Sequence, residues 1–90
     1  MEVKAFRLLP NEDIKKWLDS FTKEQQVNAA CILACVGSLR CLSIRFAGRE
    51  DITILKQKFE VISLGGTLSK HGSHLHIAVA DESGSLMGAI

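Results

Sequence analysis

Phe59-Glu60-Val61-Ile62-Ser63-Leu64-Gly65-Gly66-Thr67-Leu68-Ser69, then Lys70-His71-Gly72, then Ser73-His74-Leu75-His76-Ile77-Ala78-Val79-Ala80-Asp81, is the stretch that decides the fold. Val, Ile, Thr and Phe suit a pleated, half-buried surface, so both long runs read as strands joined by a short glycine-containing link. Strand alternation predicts Glu60, Ile62 and Leu64 on one face and Phe59, Val61 and Ser63 on the other. Gly65-Gly66 either bends the first strand or lets another backbone come close. A second turn, Asp81-Glu82-Ser83-Gly84-Ser85, leads into a further apolar run, Leu86-Met87-Gly88-Ala89-Ile90.

Upstream, Val3 to Leu9 alternates well enough to predict a first strand, ended by the only proline, Pro10. Asn11 is then a candidate cap for a helix from about Glu12 to Glu24, because Ile14, Trp17, Leu18 and Phe21 fall at i, i+3, i+4 and i+7. One face of that helix is ready for a sheet. Lys15 and Lys16 read as solvated positions and Trp17 as a packing anchor. Ala29 to Val36 reads as strand or helix from composition alone, its eight residues bounded by Gly37-Ser38 suiting a buried strand, and Leu39 to Ala47 alternates, with Leu42, Ile44 and Phe46 on one side. Gly37-Ser38 between them predicts a tight reversal. Ile52 to Leu55 reads as a short edge strand guarded by Lys56 and Lys58.

Composition narrows the function. The chain has 90 residues, enough for one domain, with 47% hydrophobic residues, 23% charged and a formal charge of +1. That balance provides no long-range attraction to nucleic acid or anionic membrane. Residues 1–58 carry ten basic and seven acidic side chains, residues 59–90 one and three, so the basic residues are spread out. A DNA-binding module concentrates them. Cys31, Cys35 and Cys41 match neither a metal knuckle nor a redox pair, and their apolar surroundings predict buried thiols in a reducing compartment. No signal peptide or membrane-length apolar run is present. A soluble, cytoplasmic protein is expected.

His74 and His76 are the chemical candidates. On a strand they share one face, about 7 Å apart along the backbone, together with Ala78. Two imidazoles so placed can converge on zinc or another transition metal, with His71, Asp81 or Glu82 near enough in sequence to be considered as a third ligand. Another subunit is a further source. The simpler reading is a hydrogen-bonded structural pair. Ser69, Ser73 and His74 do not form a serine-hydrolase arrangement, and no nucleophile-elbow or phosphate-loop motif is present.

The run Phe59 to Leu68, continued by Gly72-Ser73-His74-Leu75-His76-Ile77, Asp81-Glu82-Ser83-Gly84 and Gly88-Ala89-Ile90, resembles the PPC (plants and prokaryotes conserved) domain family. Leu9 to Ile14, the helix, and Ala30 through Ser38 follow the same family order. The resemblance implies an α/β (α+β) fold: a strongly curved, mostly antiparallel sheet with one packed amphipathic helix. It also implies homotrimers, and in plants an assembly role beside a nuclear DNA-binding AT-hook, which this sequence lacks. Prokaryotic-type members carry a third histidine after a Gly-Gly pair, where this chain has Gly88, Ala89 and Ile90. The family pattern continues with further strands, so residues 1–90 read as one PPC-like domain truncated at its C-terminal end. Lower stability, or reliance on self-association, is then expected.

The leading functional expectation is a non-enzymatic homo-oligomerising, protein-interaction module, cytoplasmic or nuclear within a DNA-associated complex. The alternative is a zinc-binding protein or metal-dependent enzyme using His74 and His76. Direct DNA binding ranks third, and no membrane partner is expected.

Overall fold

The computed structural model describes residues 1–90 and contains one helix and seven strands. In chain order these are α1 (Ile14–Glu24), β1 (Ala30–Cys31), β2 (Ser38–Leu39), β3 (Leu42–Ile44), β4 (Thr53–Leu55), β5 (Phe59–Ser69), β6 (Gly72–Ala80) and β7 (Leu86–Ala89). The two long runs form the antiparallel hairpin β5–β6, with β7 beside β6 and both β1 and β2 beside β5. β3 and β4 make a separate antiparallel pair. Arg45 and Ile90 link the two sheets, each donating its N–H to the other's carbonyl at 2.9 and 3.2 Å. The α+β class expected from the sequence is the class observed.

The helix forms as its periodicity predicts, but it begins at Ile14, and Asp13 is its cap. The Asp13 carboxylate accepts the Lys16 N–H at 2.9 Å, satisfying one of the otherwise orphaned first-turn donors. Asn11 instead sits in a left-handed conformation, φ 70°, within the turn that brings Glu12 back to Leu9. Leu18 and Thr22 are buried against the sheet, and Thr22 turns its hydroxyl back onto the Leu18 carbonyl at 3.1 Å. Trp17 is a packing residue, stacked on Phe21 at a centroid separation of 5.7 Å, with Phe6 tilted against it at 4.8 Å.

Several strand expectations are overturned. Val3 to Leu9 is not in a strand; Phe6 reaches the helix, and no other strand lies alongside to supply backbone partners. Ala29 to Val36 contributes only the two exposed residues of β1. Gly37-Ser38 makes no reversal, because β1 and β2 both run antiparallel to β5, so the chain passes along one β5 edge in two short pieces. Leu39 to Ala47 is divided between β2 and β3 in different sheets, although its apolar side is right: Leu42 and Ile44 are buried. Cys31 and Cys41 are exposed and Cys35 half-buried, against the expectation of buried thiols: Cys31 lies in β1, both of whose residues are exposed, and Cys41 in the link between β2 and β3.

The face assignment in β5 also changes, and the cause is local. Val61 pairs with Val79 but Ser63 with Ala78, leaving Ile62 as the extra residue of a β-bulge. A one-residue insertion in a period-2 element exchanges its faces. Phe59, Val61, Leu64 and Leu68 therefore all point inward, and Glu60, Ile62 and Ser63 point out. The central core is Leu42, Ile44, Phe59 and Val79, where the β3–β4 pair covers the end of the main sheet. Leu64 and Leu68 continue the buried side of β5 along the hairpin, which α1 also packs against.

Candidate functional site

The register of the main sheet places its uncovered face. Directly opposite residues share a face, so His74 lies beside Thr67, His76 beside Gly65, and Ala78 between Ser63 and Gly88. Leu75 and Ile77 face the other way. The uncovered face is thus lined by small side chains, from which the two imidazoles stand out. Gly66 is what allows the hairpin to close at this point. Its φ is 141°, and a Cβ there would run into the His74 carbonyl and within 2.9 Å of the Leu75 Cα. Of the two roles considered for Gly65-Gly66, close backbone approach is the one Gly66 performs.

The His74 and His76 Nε2 atoms are 3.1 Å apart, with ring centroids at 5.0 Å and an edge-on arrangement. Both rings are exposed. Two neutral imidazoles at this distance share one proton, one ring donating and the other accepting. The same spacing fits two corners of a tetrahedral zinc site, where bonds of 2.0–2.1 Å set the ligand nitrogens roughly 3.3 Å apart. No group of three or more His, Cys, Asp and Glu residues gathers at a common point. Asp81 is engaged elsewhere: one carboxylate oxygen accepts from the Ser83 hydroxyl and the Ser83 and Ser85 amides at 2.7, 2.9 and 3.0 Å. The Ser83 hydroxyl first, then the Ser85 amide, hold that carboxyl below the usual range. Glu82 lies in the same β6–β7 turn and His71 in the β5–β6 turn. Continuing the β6–β7 register by one residue sets Ile90 opposite His76, so the neighbour that could have been a third ligand is an aliphatic side chain. The residues present fit a two-ligand portion of a metal site.

Next to the pair, an open cleft of about 480 Å³ separates the loop after α1 from the hairpin; Asn28, Thr67, Ser69, His71, Ser73 and His74 line it. Ser73, in its lining, belongs to a polar cluster that sequence spacing does not reveal. Ser73 donates to the Asp19 carboxylate at 2.6 Å, and Lys15 donates to the Ser73 hydroxyl at 2.9 Å and to Asp19 at 3.1 Å. The Ser73 hydrogen bond, helped by the Lys15 ammonium, keeps the Asp19 carboxyl below its ordinary range against the opposing effect of burial. Asp19 and Ser73 are 54 residues apart, so no local pattern signals their meeting. Lys15, expected to be merely solvated, is exposed but makes these contacts; Lys16 is exposed.

An α+β domain with one helix-covered face and one open face bearing paired imidazoles is the class that fold and site define. The chain belongs to the Plants and Prokaryotes Conserved domain family, whose family model matches residues 1–90. It is 38% and 33% identical over 88 residues to proteins from two Synechococcus strains, each named Bifunctional protein GlmU. Those alignments take in 98% of this chain but only 14% of each GlmU. A hypothetical protein from Salmonella cholerae-suis superposes with a TM-score of 0.90 at 45% identity, over 93% of this chain and 61% of that one. A Bacteroides thetaiotaomicron protein, described as a putative DNA-binding protein, superposes with a TM-score of 0.73 at 26% identity, over 84% of this chain and 57% of its own. No helix is long and apolar enough to cross a membrane.

Proposed function

We propose that this domain is a non-enzymatic assembly module that forms homo-oligomers and contacts protein partners, with the trimer favoured by its family resemblance. The observation that carries this reading is the distribution of apolar side chains. Eight hydrophobic residues are buried, whereas eleven large ones are exposed, among them Leu33 at 69%, Val36 at 93% and Leu86 at 68%. Single exposed apolar residues are ordinary, but this proportion in a small domain suits surfaces that another chain covers. The three free cysteines suit a reducing compartment, and the cytoplasm is the proposed location.

The 3.1 Å Nε2 spacing favours one alternative reading, a metal-binding role for His74 and His76 with remaining ligands from solvent or another subunit. A bound zinc would supply Lewis acidity there. DNA contact ranks below both: the Bacteroides relative's description points to it, but a formal charge of +1 does not.

Size-exclusion chromatography with light scattering, coupled to elemental analysis of the same peak, tests these readings. A metal-free trimer is the expected result. A folded monomer at all concentrations would overturn the assembly reading. About one zinc per subunit, lost in His74→Ala and His76→Ala, would move the metal reading ahead.

A further inference from the structure

The open cleft between the loop after α1 and the β5–β6 hairpin has walls that the backbone holds in place. Lys70 donates its N–H to the Val27 carbonyl at 2.8 Å, and Ile32 donates to the Gly66 carbonyl at 3.2 Å. Between these two bonds β1 pairs Ala30 with Leu68 and Cys31 with Thr67. Walls fixed in this way need little ordering when a ligand enters, which limits the entropy lost on binding. The cleft's volume of about 480 Å³ lies within the range of roughly 300–1,000 Å³ usual for small-molecule sites.

The chemistry of the lining selects the ligand. Its polar members are Asn28, Thr67, Ser69, His71, Ser73 and His74, with no carboxylate, lysine or arginine among them. Amide, hydroxyl and neutral imidazole groups each offer both a donor and an acceptor, as does every hydroxyl of a sugar. An ionic ligand would instead give up water for a lining with no counter-charge. Lys15 and Asp19, beside Ser73, supply none, because they pair with each other at 3.1 Å and both bond to the Ser73 hydroxyl. Ser69 likewise has a partner inside the chain, accepting the His71 N–H at 3.1 Å. The Asn28 amide and Thr67 hydroxyl, both exposed, have none. Ala29 and Ala30 add a small apolar patch suited to the C–H face of a sugar ring. We propose that this cleft binds a neutral polyhydroxylated small molecule, a sugar or cyclitol, recognised by the Asn28 amide and the Thr67 hydroxyl. This goes beyond the assembly reading and does not depend on it.

The test is backbone-amide chemical-shift titration of the full chain with glucose, ribose and myo-inositol. Sodium phosphate and sodium acetate serve as charged comparisons. An open cleft leaves much of a ligand in water, so each probe is taken to about 100 mM. The expected result is a saturable shift with at least one neutral probe, confined to amides within residues 28–30 and 67–74. Asn28→Ala and Thr67→Val, at exposed positions whose side chains hold nothing in the fold, should each weaken that binding roughly tenfold. Their far-ultraviolet circular dichroism should match the wild type. The proposal is overturned if no neutral probe gives a saturable shift, or if the shifts spread evenly over the chain. Binding that survives both substitutions unchanged overturns it too, as does tighter binding of phosphate or acetate at the same amides.

Discussion

Gly66, Asp19 and Cys35 show how single positions act here. Gly66 occupies a backbone conformation that side chains avoid, and its missing Cβ leaves room for the His74 carbonyl. Gly66→Ala is expected to destabilise the domain by about 1–3 kcal/mol, read from urea denaturation, whereas Gly65→Ala, with nothing within 4 Å of its Cβ, serves as the tolerant comparison. Asp19 is held below the ordinary carboxylate range by Ser73 and Lys15. Its folded-state pKa is depressed, so its contribution is present above the unfolded carboxylate pKa and lost as pH falls through the depressed value. Asp19→Asn should cost about 1 kcal/mol at neutral pH, a modest figure because the group is partly solvated, and the gap from wild type should close in acid. Burial pushes the Cys35 thiol up. Timed alkylation with mass spectrometry should therefore label exposed Cys31 and Cys41 before Cys35.

At the level of elements, the informative feature is where periodicity held and where it failed. The helix was legible because a 3.6-residue pattern sustained over eleven residues fits an amphipathic helix and no strand. Its cap was displaced by two residues, since Asn11 and Asp13 are equally good capping types and only the Pro10-Asn11 turn decides between them. In β5, alternation predicted the wrong face for Leu64 because a bulge leaves no mark in an apolar run. The Ile62 insertion has a consequence that can be measured. Deleting Ile62 would restore plain alternation and keep Phe59, Val61, Leu64 and Leu68 on the inward face, so cooperative folding is expected to survive by thermal circular dichroism, whereas deleting Ile62 and Ser63 together would turn either Phe59 and Val61 or Leu64 and Leu68 outward and is expected to abolish it. Core truncation is the milder comparison: Ile44→Ala, at a residue 1% exposed beside Phe59 and Val79, should cost about 2–5 kcal/mol by denaturant unfolding.

For the whole molecule, eleven large hydrophobic residues are exposed against eight hydrophobic residues buried. Nine of 90 residues are buried, so the single-chain core is small and association is an available source of stability. A folded state that binds its own copies is stabilised by mass action. The midpoint of thermal unfolding is therefore expected to rise with protein concentration, by several degrees over a hundredfold range. A concentration-independent midpoint would speak against assembly. The His74–His76 pair belongs to this scale as well, because its second set of ligands, if any, has to come from outside the chain: within it no third histidine, cysteine or carboxylate approaches.

By itself the sequence determined the α+β class, the amphipathic helix, the β5–β6 hairpin with its turns, the family, and the shared face of His74 and His76. These are local or nearly local properties, set by periods of 3.6 and 2 and by glycine at bends. Only the tertiary structure decided that Val3–Leu9 stands unpaired, that β1 and β2 run along one edge of β5, that the bulge brings Leu64 inward, and that Ser73 meets Asp19 and Lys15. Each depends on which strand finds which partner across long separations. A strand-like pattern specifies a willingness to pair, but the partner is chosen by packing of the whole chain.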